Sequence, residues 1–317
     1  MAGLSAADEE DQAALQALWA RSACPARHDR DAADLWQRQV RALYRRGISI
    51  EAALQFLYLE RPDRQAFEAW LQERARPALR ESEQEAGAQD GALSGAQYDF
   101  WESNGYLVLP GAAPRQQCEA ARQAIWDFLG ASEADPASWY VEHPGKRGMM
   151  LDFYDHPALT ANRSLPLVRR VCEQLYGSAD ILASIDKVSF NPPETVHSPF
   201  RGSPLHWDAS LHLPVPFKLQ GLLYLGDCGP SDGAFHCVPG FHKRLPEWLA
   251  QVPAGIHPRD WAPRDLSPIP VPGQAGDFIL WHQALPHCAT PNRGRLPRMV
   301  QYLTYLPASS DDRHQWI

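Results

Sequence analysis

The chain has few cysteines, no long apolar run and no glycine-rich phosphate loop, and each lack removes a class of protein. Its six cysteines in 317 residues are Cys24, Cys118, Cys172, Cys228, Cys237 and Cys288. None forms Cys-x-x-Cys, so zinc-ribbon and thioredoxin-type readings have no support. No stretch of about 18 uninterrupted apolar residues occurs, which argues against a membrane span. The opening MAGLSAADEEDQ is acidic and lacks the basic start and apolar run of a signal peptide. The cysteines are therefore expected to be reduced thiols in a cytoplasmic protein. A net charge of −8 argues against nucleic acid or an anionic membrane surface as partner, though not against a local basic pocket. No internal repeat is present.

What remains is an ordinary globular composition, 44% hydrophobic, in a chain long enough for a large domain plus an appendage, or for two domains. Residues 1–80 read as a helical N-terminal extension. Leu35, Trp36, Val40, Leu43 and Tyr44 recur at helical spacing, with Asp31 as N-cap and Gly47 as C-cap. Two further helices follow, broken at Arg61-Pro62 and restarted by Asp63. The aromatic stripe Trp36, Tyr44, Phe56, Tyr58, Phe67 and Trp70 is read as core, with a docking surface for a carrier or partner protein as the alternative. Residues 81–97 are small and polar and read as a linker.

From residue 98 to 317 the character changes. A short helix, a strand at 105–109 and a helix closing near Gly130 come first. Beyond about residue 180, short apolar runs such as FKLQGLLYLG, GDFILWH and RMVQYLTYL alternate with Pro/Gly turns. That pattern argues for a β-sandwich or barrel rather than a parallel α/β sheet. Within it stands SPLHWDASLH. If His206 and Asp208 lie on a strand, they project to one face. One imidazole and one carboxylate fill two positions of a metal, and the two-histidine, one-carboxylate face belongs to non-haem Fe(II) oxygenases. Among twelve histidines, His287 is the best second imidazole, set between two strand-like runs. Arg298 follows it, a residue type suited to holding the distal carboxylate of 2-oxoglutarate bidentately.

At these residues the chain resembles the phytanoyl-CoA dioxygenase family of Fe(II)/2-oxoglutarate-dependent oxygenases. YDFWESNGYLVLPG, PLHWDASLH, GAFHCVPGFHK and GDFILWHQALPHCATPNRGRLPR carry the likeness, over about 220 residues from Tyr98 onward. The resemblance implies a mainly β fold with helices: a double-stranded β-helix, jelly-roll or cupin-like, preceded by the helical extension. It implies His206, Asp208 and His287 as catalytic metal ligands for Fe(II), with 2-oxoglutarate and O2 as cosubstrates. Arg298 would anchor 2-oxoglutarate, with Tyr224 and Lys187 beside it. The expected reaction is hydroxylation of an unactivated C–H bond of a small or carrier-tethered substrate, with release of succinate and CO2. The presence of Asp208 favours hydroxylation over halogenation, which needs a small residue there.

Rivals exist at most positions. His212 is in phase with His206 and reads as a pocket residue; His282 could replace His287 but would misplace the arginine. Arg293 and Arg295 sit in a Pro/Gly loop, where arginines are usually solvated. Lys187 could be an exposed strand lysine. His236 and His242 read as structural, and Cys288 as filler. Residues 139–156 read as loops over the site, and Lys146, Arg147 or Arg201 could line a basic pocket. Two other functions stay open: a catalytically silent jelly-roll binding protein, and a cupin-type Zn or Mn enzyme that does not use 2-oxoglutarate.

Overall fold

The structure, a computed structural model, describes residues 6–23, 32–76, 92–200, 202 and 204–307. Cys24, Asp31, Arg201 and residues 81–91 of the expected linker lie outside them. The chain divides into two compact units. One comprises the described parts of 1–88, 178–185 and 306–315, the other those of 89–177 and 186–305.

The first unit is helical, as its periodicity predicts: α1 (Ala6–Ala23), α2 (Ala32–Tyr44), α3 (Ile50–Gln55) with a π-helical turn over Phe56–Glu60, and α4 (Arg64–Arg74). Asp63 caps α4 by accepting from the Ala66 N–H, and Gly47 takes the positive φ expected after α2. Asp11 on α1 takes Arg45 at 2.6 Å and Arg46 at 3.4 Å, tying α1 to the end of α2. The aromatic stripe is only partly core. Tyr44 and Phe67 are buried and Phe56 stacks on Trp70 at 4.9 Å, whereas Tyr58 is half exposed.

The second unit opens with α5 (Gly95–Asn104), which overlaps the end of the expected linker. Ser94 and Gln97 form a capping box, a helix start hidden in a polar stretch. Then come β1 (Tyr106–Leu109), α6 (Arg115–Leu129), the hairpin β2 (Lys146–Arg147) and β3 (Met150–Leu151), α7 (Pro157–Asn162) and α8 (Pro166–Tyr176). β4 (Ile181–Ala183) falls in the first unit, as do the last two residues of the final strand, and the second unit resumes with β5 (Val188–Asn191), β6 (Leu219–Tyr224) and β7 (Phe235–Cys237). Next are α9 (Phe241–Leu249), α10 (Pro258–Asp265), β8 (Ile269–Val271), β9 (Phe278–His282), β10 (His287–Ala289), β11 (Arg298–Tyr302) and β12 (Tyr305–Pro307). Pro246 and Pro263 lie inside α9 and α10, where an interior proline is a signal against helix.

The main sheet has the order β1-β9-β6-β11-β5-β3-β2; a second has the order β10-β7-β8, extended past β10 by a single bridge between His206 and His287. Read in chain order, β5, the His206 segment, β6 and β7 alternate between the two sheets, and so do β8, β9, β10 and β11, while β7 and β8, joined through α9 and α10, are neighbours in the second sheet. This is the jelly-roll, or double-stranded β-helix, expected. One core fills the space between the sheets, with Leu222, Tyr224, Ile279, Trp281 and Val300 from the first and Phe235, Cys237, Val271 and Cys288 from the second. On the other face of β5, Phe190 meets Trp126 of α6 edge-on at 5.3 Å. Residues 146–151 form an edge hairpin of the main sheet, and Trp139 is buried against Trp126. That part of the expected loop cover is therefore framework. Gly105 turns the chain from α5 into β1 at φ 72°, and a Cβ there would lie 2.3 Å from His242 Nδ1, so only glycine fits. Among the described residues no helix is long and apolar enough to cross a membrane.

Candidate metal centre

The bridge between the sheet edge and β10 sets the site. The N–H of His206 donates to the His287 carbonyl at 3.0 Å, and the N–H of His287 returns a bond to His206 at 2.9 Å. The two imidazoles are thereby placed side by side, ring centroids 4.5 Å apart. Asp208 does not continue the strand. The chain leaves the ladder after His206, and a bend carries the carboxylate across both rings. Its Oδ1 lies 3.4 Å from His206 Nε2 and its Oδ2 3.3 Å from His287 Nε2. All three groups offer ligand atoms within 4.8 Å of one another.

These distances suit a metal. Ligands about 2.1 Å from an octahedral ion, at right angles, are about 3.0 Å apart along an edge, close to the separations found. The tautomers suit one too. His206 Nδ1 lies 2.8 Å from the Pro204 carbonyl and His287 Nδ1 lies 3.2 Å from that of Leu285. A carbonyl only accepts, so each Nδ1 carries its proton and each Nε2 lone pair points at the shared centre. Partial burial works against the Asp208 anion, but without a metal either Nε2 can take up a proton and donate to the carboxylate, which holds its carboxyl far below the usual range. Burial likewise opposes a His206 cation, and the Asp208 carboxylate outweighs it, raising the imidazole. His287 is buried against Phe235 and Trp281 while Asp208 is half exposed, so the centre is walled on one side and open on the other.

Two residues that the sequence reading missed support Asp208. Gln220 on β6 donates to Asp208 Oδ2 at 2.8 Å and accepts from the Trp281 indole at 3.0 Å. Arg259 on α10 donates to the carbonyls of Trp207 at 2.7 Å and Ala209 at 2.6 Å. Neither contact has a local sequence signal, because the partners meet only through the barrel.

Arg298 opens β11 directly opposite Asn191 of β5. It is buried, donates to Ser189 Oγ at 3.4 Å and leaves its Nε without a partner. Among the described residues it makes no ion pair with a carboxylate. Asn292, fully buried, shapes the turn before it: its amide donates to the Asn191 and Leu296 carbonyls at 2.8 Å, and its Oδ1 accepts from the Gly294 N–H.

The two residues expected beside the cosubstrate are otherwise engaged. Tyr224 is fully buried; its hydroxyl donates to Val271 and accepts from the Phe235 N–H, while its ring lies 6.0 Å from the Arg298 guanidinium. It faces the arginine, not an open position. Lys187 pairs with Asp152 at 2.9 Å, so its ammonium already has an internal counter-ion. Of the rivals, His282 accepts from the Ala284 N–H through Nδ1 and lies outside the cluster.

A jelly-roll barrel carrying two imidazoles and a carboxylate at one point, with an open side, defines a mononuclear metalloprotein of the non-haem oxygenase class. The family model for phytanoyl-CoA dioxygenase (PhyH) matches residues 101–300, and the chain belongs to that family of Fe(II)/2-oxoglutarate-dependent oxygenases. A putative phytanoyl-CoA dioxygenase of Dictyostelium discoideum is 20% identical over 263 residues, covering 67% of this chain and 75% of the relative. A methylphosphonate hydroxylase of Gimesia maris is 24% identical over 229 residues, covering 69% and 83%. Among solved structures, EctD from S. alaskensis with 2-oxoglutarate and 5-hydroxyectoine is similar at a TM-score of 0.49 and 17% identity, over 73% of this chain and 82% of that one. The protein is thus an enzyme that uses iron, 2-oxoglutarate and O2.

Proposed function

We propose that the protein hydroxylates a C–H bond of a small organic substrate, with His206, Asp208 and His287 holding Fe(II) and Arg298 holding the distal carboxylate of 2-oxoglutarate. The observation that carries this reading is the pairing of a facial His/Asp/His cluster with a buried, carboxylate-free arginine on the same barrel. The iron, when bound, supplies O2 activation coupled to decarboxylation of 2-oxoglutarate to succinate and CO2.

The chain supplies the rest. Two carbonyl-fixed imidazoles present neutral Nε2 atoms, and Asp208 supplies the negative charge that favours a divalent ion. Arg298, in a site closed to water on the Tyr224 side, offers a fork of N–H donors to a carboxylate. Phe235 and Trp281 keep water from the His287 side. A cleft of about 880 Å³, lined by Tyr140, Lys146, Arg147, Phe190, Asn191 and Phe200, reaches the β5 residue opposite Arg298 and has room for a small organic molecule. A cytoplasmic setting fits the five described cysteines, all free and buried thiols.

The test is an anaerobic titration of metal-free protein with Fe(II) and 2-oxoglutarate, followed by the visible charge-transfer band of their chelate. A band in the wild type that His206→Ala lacks is the expected result. No band in the wild type, or an equal band in both, overturns the ligand assignment.

A further inference from the structure

We infer that Arg259 is a positioning residue for the metal centre: its guanidinium, clamped on the carbonyls either side of Asp208, holds the carboxylate between the two imidazoles. This rests on the reading above, in which His206, Asp208 and His287 bind the metal.

Asp208 is the one ligand with no strand to hold it. The two histidines are fixed by their reciprocal backbone bridge, and the chain then departs from the ladder. Two anchors restrain that departing segment. The Trp207 side chain sinks among Phe241 at 5.8 Å and Trp248 at 5.7 Å, and its indole donates to the Ala284 carbonyl. The backbone is held by Arg259, through two short charge-assisted contacts at 2.7 and 2.6 Å. The two nitrogens of one planar fork grip the carbonyls of residues 207 and 209, so the backbone before and after Asp208 is tied to one group. Lysine, a single point charge, cannot reproduce that grip.

Arg259 is itself well placed to act as a fixed post. It is in the first turn of α10, whose start His257 caps by accepting the Arg259 N–H at 3.3 Å. The helix belongs to the insert between β7 and β8, and Trp248 of the same insert donates to Asp265 at the far end of α10 at 2.7 Å. Burial lowers the Arg259 pKa, and the nearby Asp208 carboxylate works the other way. If the clamp sets the carboxylate, then metal binding and seating of α10 must strengthen each other, since coupling is reciprocal.

The measurement is a binding isotherm for Co(II), read by its visible absorption, on wild type, Arg259→Met, Arg259→Lys and Arg264→Met. Arg264 lies exposed on the same helix and serves as control. Arg259→Met should weaken Co(II) by about 10–100-fold, the usual cost of losing an outer support of a metal ligand, with Arg259→Lys between it and wild type and Arg264→Met unchanged. A folded Arg259→Met that binds Co(II) like the wild type overturns the proposal. Should Arg259→Met fail to fold, hydrogen exchange on the wild type decides. Amides of 258–265 should slow on Co(II) addition in wild type and not in Asp208→Ala, and unchanged exchange in wild type overturns the clamp. Equal Co(II) binding by His206→Ala and wild type marks failure of the ligand assignment instead, and the clamp falls with it.

Discussion

His206 and His287 are a reciprocal antiparallel pair, each backbone N–H bonded to the other's carbonyl at 3.0 and 2.9 Å. The bridge uses main chain only, so replacing either imidazole leaves it in place. His206→Ala and His287→Ala should therefore keep the wild-type circular dichroism while losing metal binding and substrate-dependent 2-oxoglutarate turnover. Asp208→Ala should lose the same activities. A variant that stays fully active would remove its residue from the ligand set.

Arg298 and Lys187 were both read as cations for 2-oxoglutarate, and their surroundings separate them. Arg298 is buried with an unpartnered Nε and no carboxylate, whereas Lys187 already pairs with Asp152 at 2.9 Å. Losing charge-assisted bonds worth about 1.5–3 kcal/mol corresponds to about 10–100-fold in binding. Arg298→Ala should raise the 2-oxoglutarate requirement by that factor without changing Fe(II) affinity, and Arg298→Lys should recover only part. Lys187→Ala should leave the requirement near wild type. The reverse ranking in a steady-state titration would move the anchor to Lys187.

This contrast shows where the sequence was legible. Strands β1, β6, β9 and β11 announce themselves by apolar runs between Pro/Gly turns; Arg298 opens the last of them, and His206, Asp208 and His287 stand in short segments between such runs. The information is local, so a linear reading finds it. The Lys187–Asp152 pair, the Gln220–Asp208 bond and the Arg259 clamp join residues 35, 12 and about 50 positions apart through the sheet order. No local pattern encodes them. The strand position of Tyr224 was legible, but the backbone groups of Val271 and Phe235 that engage its hydroxyl were not. Helices α9 and α10 were hidden by their own prolines.

Asn292 offers a test of how the arginine is aimed. Its amide holds the carbonyls of Asn191 and Leu296, and both bonds need the N–H donors. Asn292→Asp keeps the acceptor for Gly294 but loses both donations and sets a carboxylate against two carbonyls. Leaving such groups unpaired costs about 1–3 kcal/mol each. Denaturant unfolding should show a loss of a few kcal/mol, and the 2-oxoglutarate requirement should rise with it because the turn leads into Arg298. A destabilised variant with an unchanged requirement would separate the turn from the arginine.

His282 should make stability depend on pH. Burial, helped by the neighbouring His242, lowers its pKa from 6.5 to about 4. The geometry agrees: Nδ1 accepts the Ala284 N–H at 2.9 Å, a bond that the doubly protonated ring cannot make, and the ring packs on Phe217 and His242. His242 is lowered too, chiefly by burial, with Glu102 working the other way. Because the unfolded chain binds the proton more tightly, stability is full above about pH 6.5. It falls as the pH drops toward 4, by an amount on the order of 3 kcal/mol from His282. Urea unfolding of metal-free protein at pH 7.5, 6 and 4.5 should show this decline, and His282→Gln should flatten the part of it that His282 contributes. An equal slope in wild type and variant would mean that the acid sensitivity arises elsewhere, with His242 the next residue to replace.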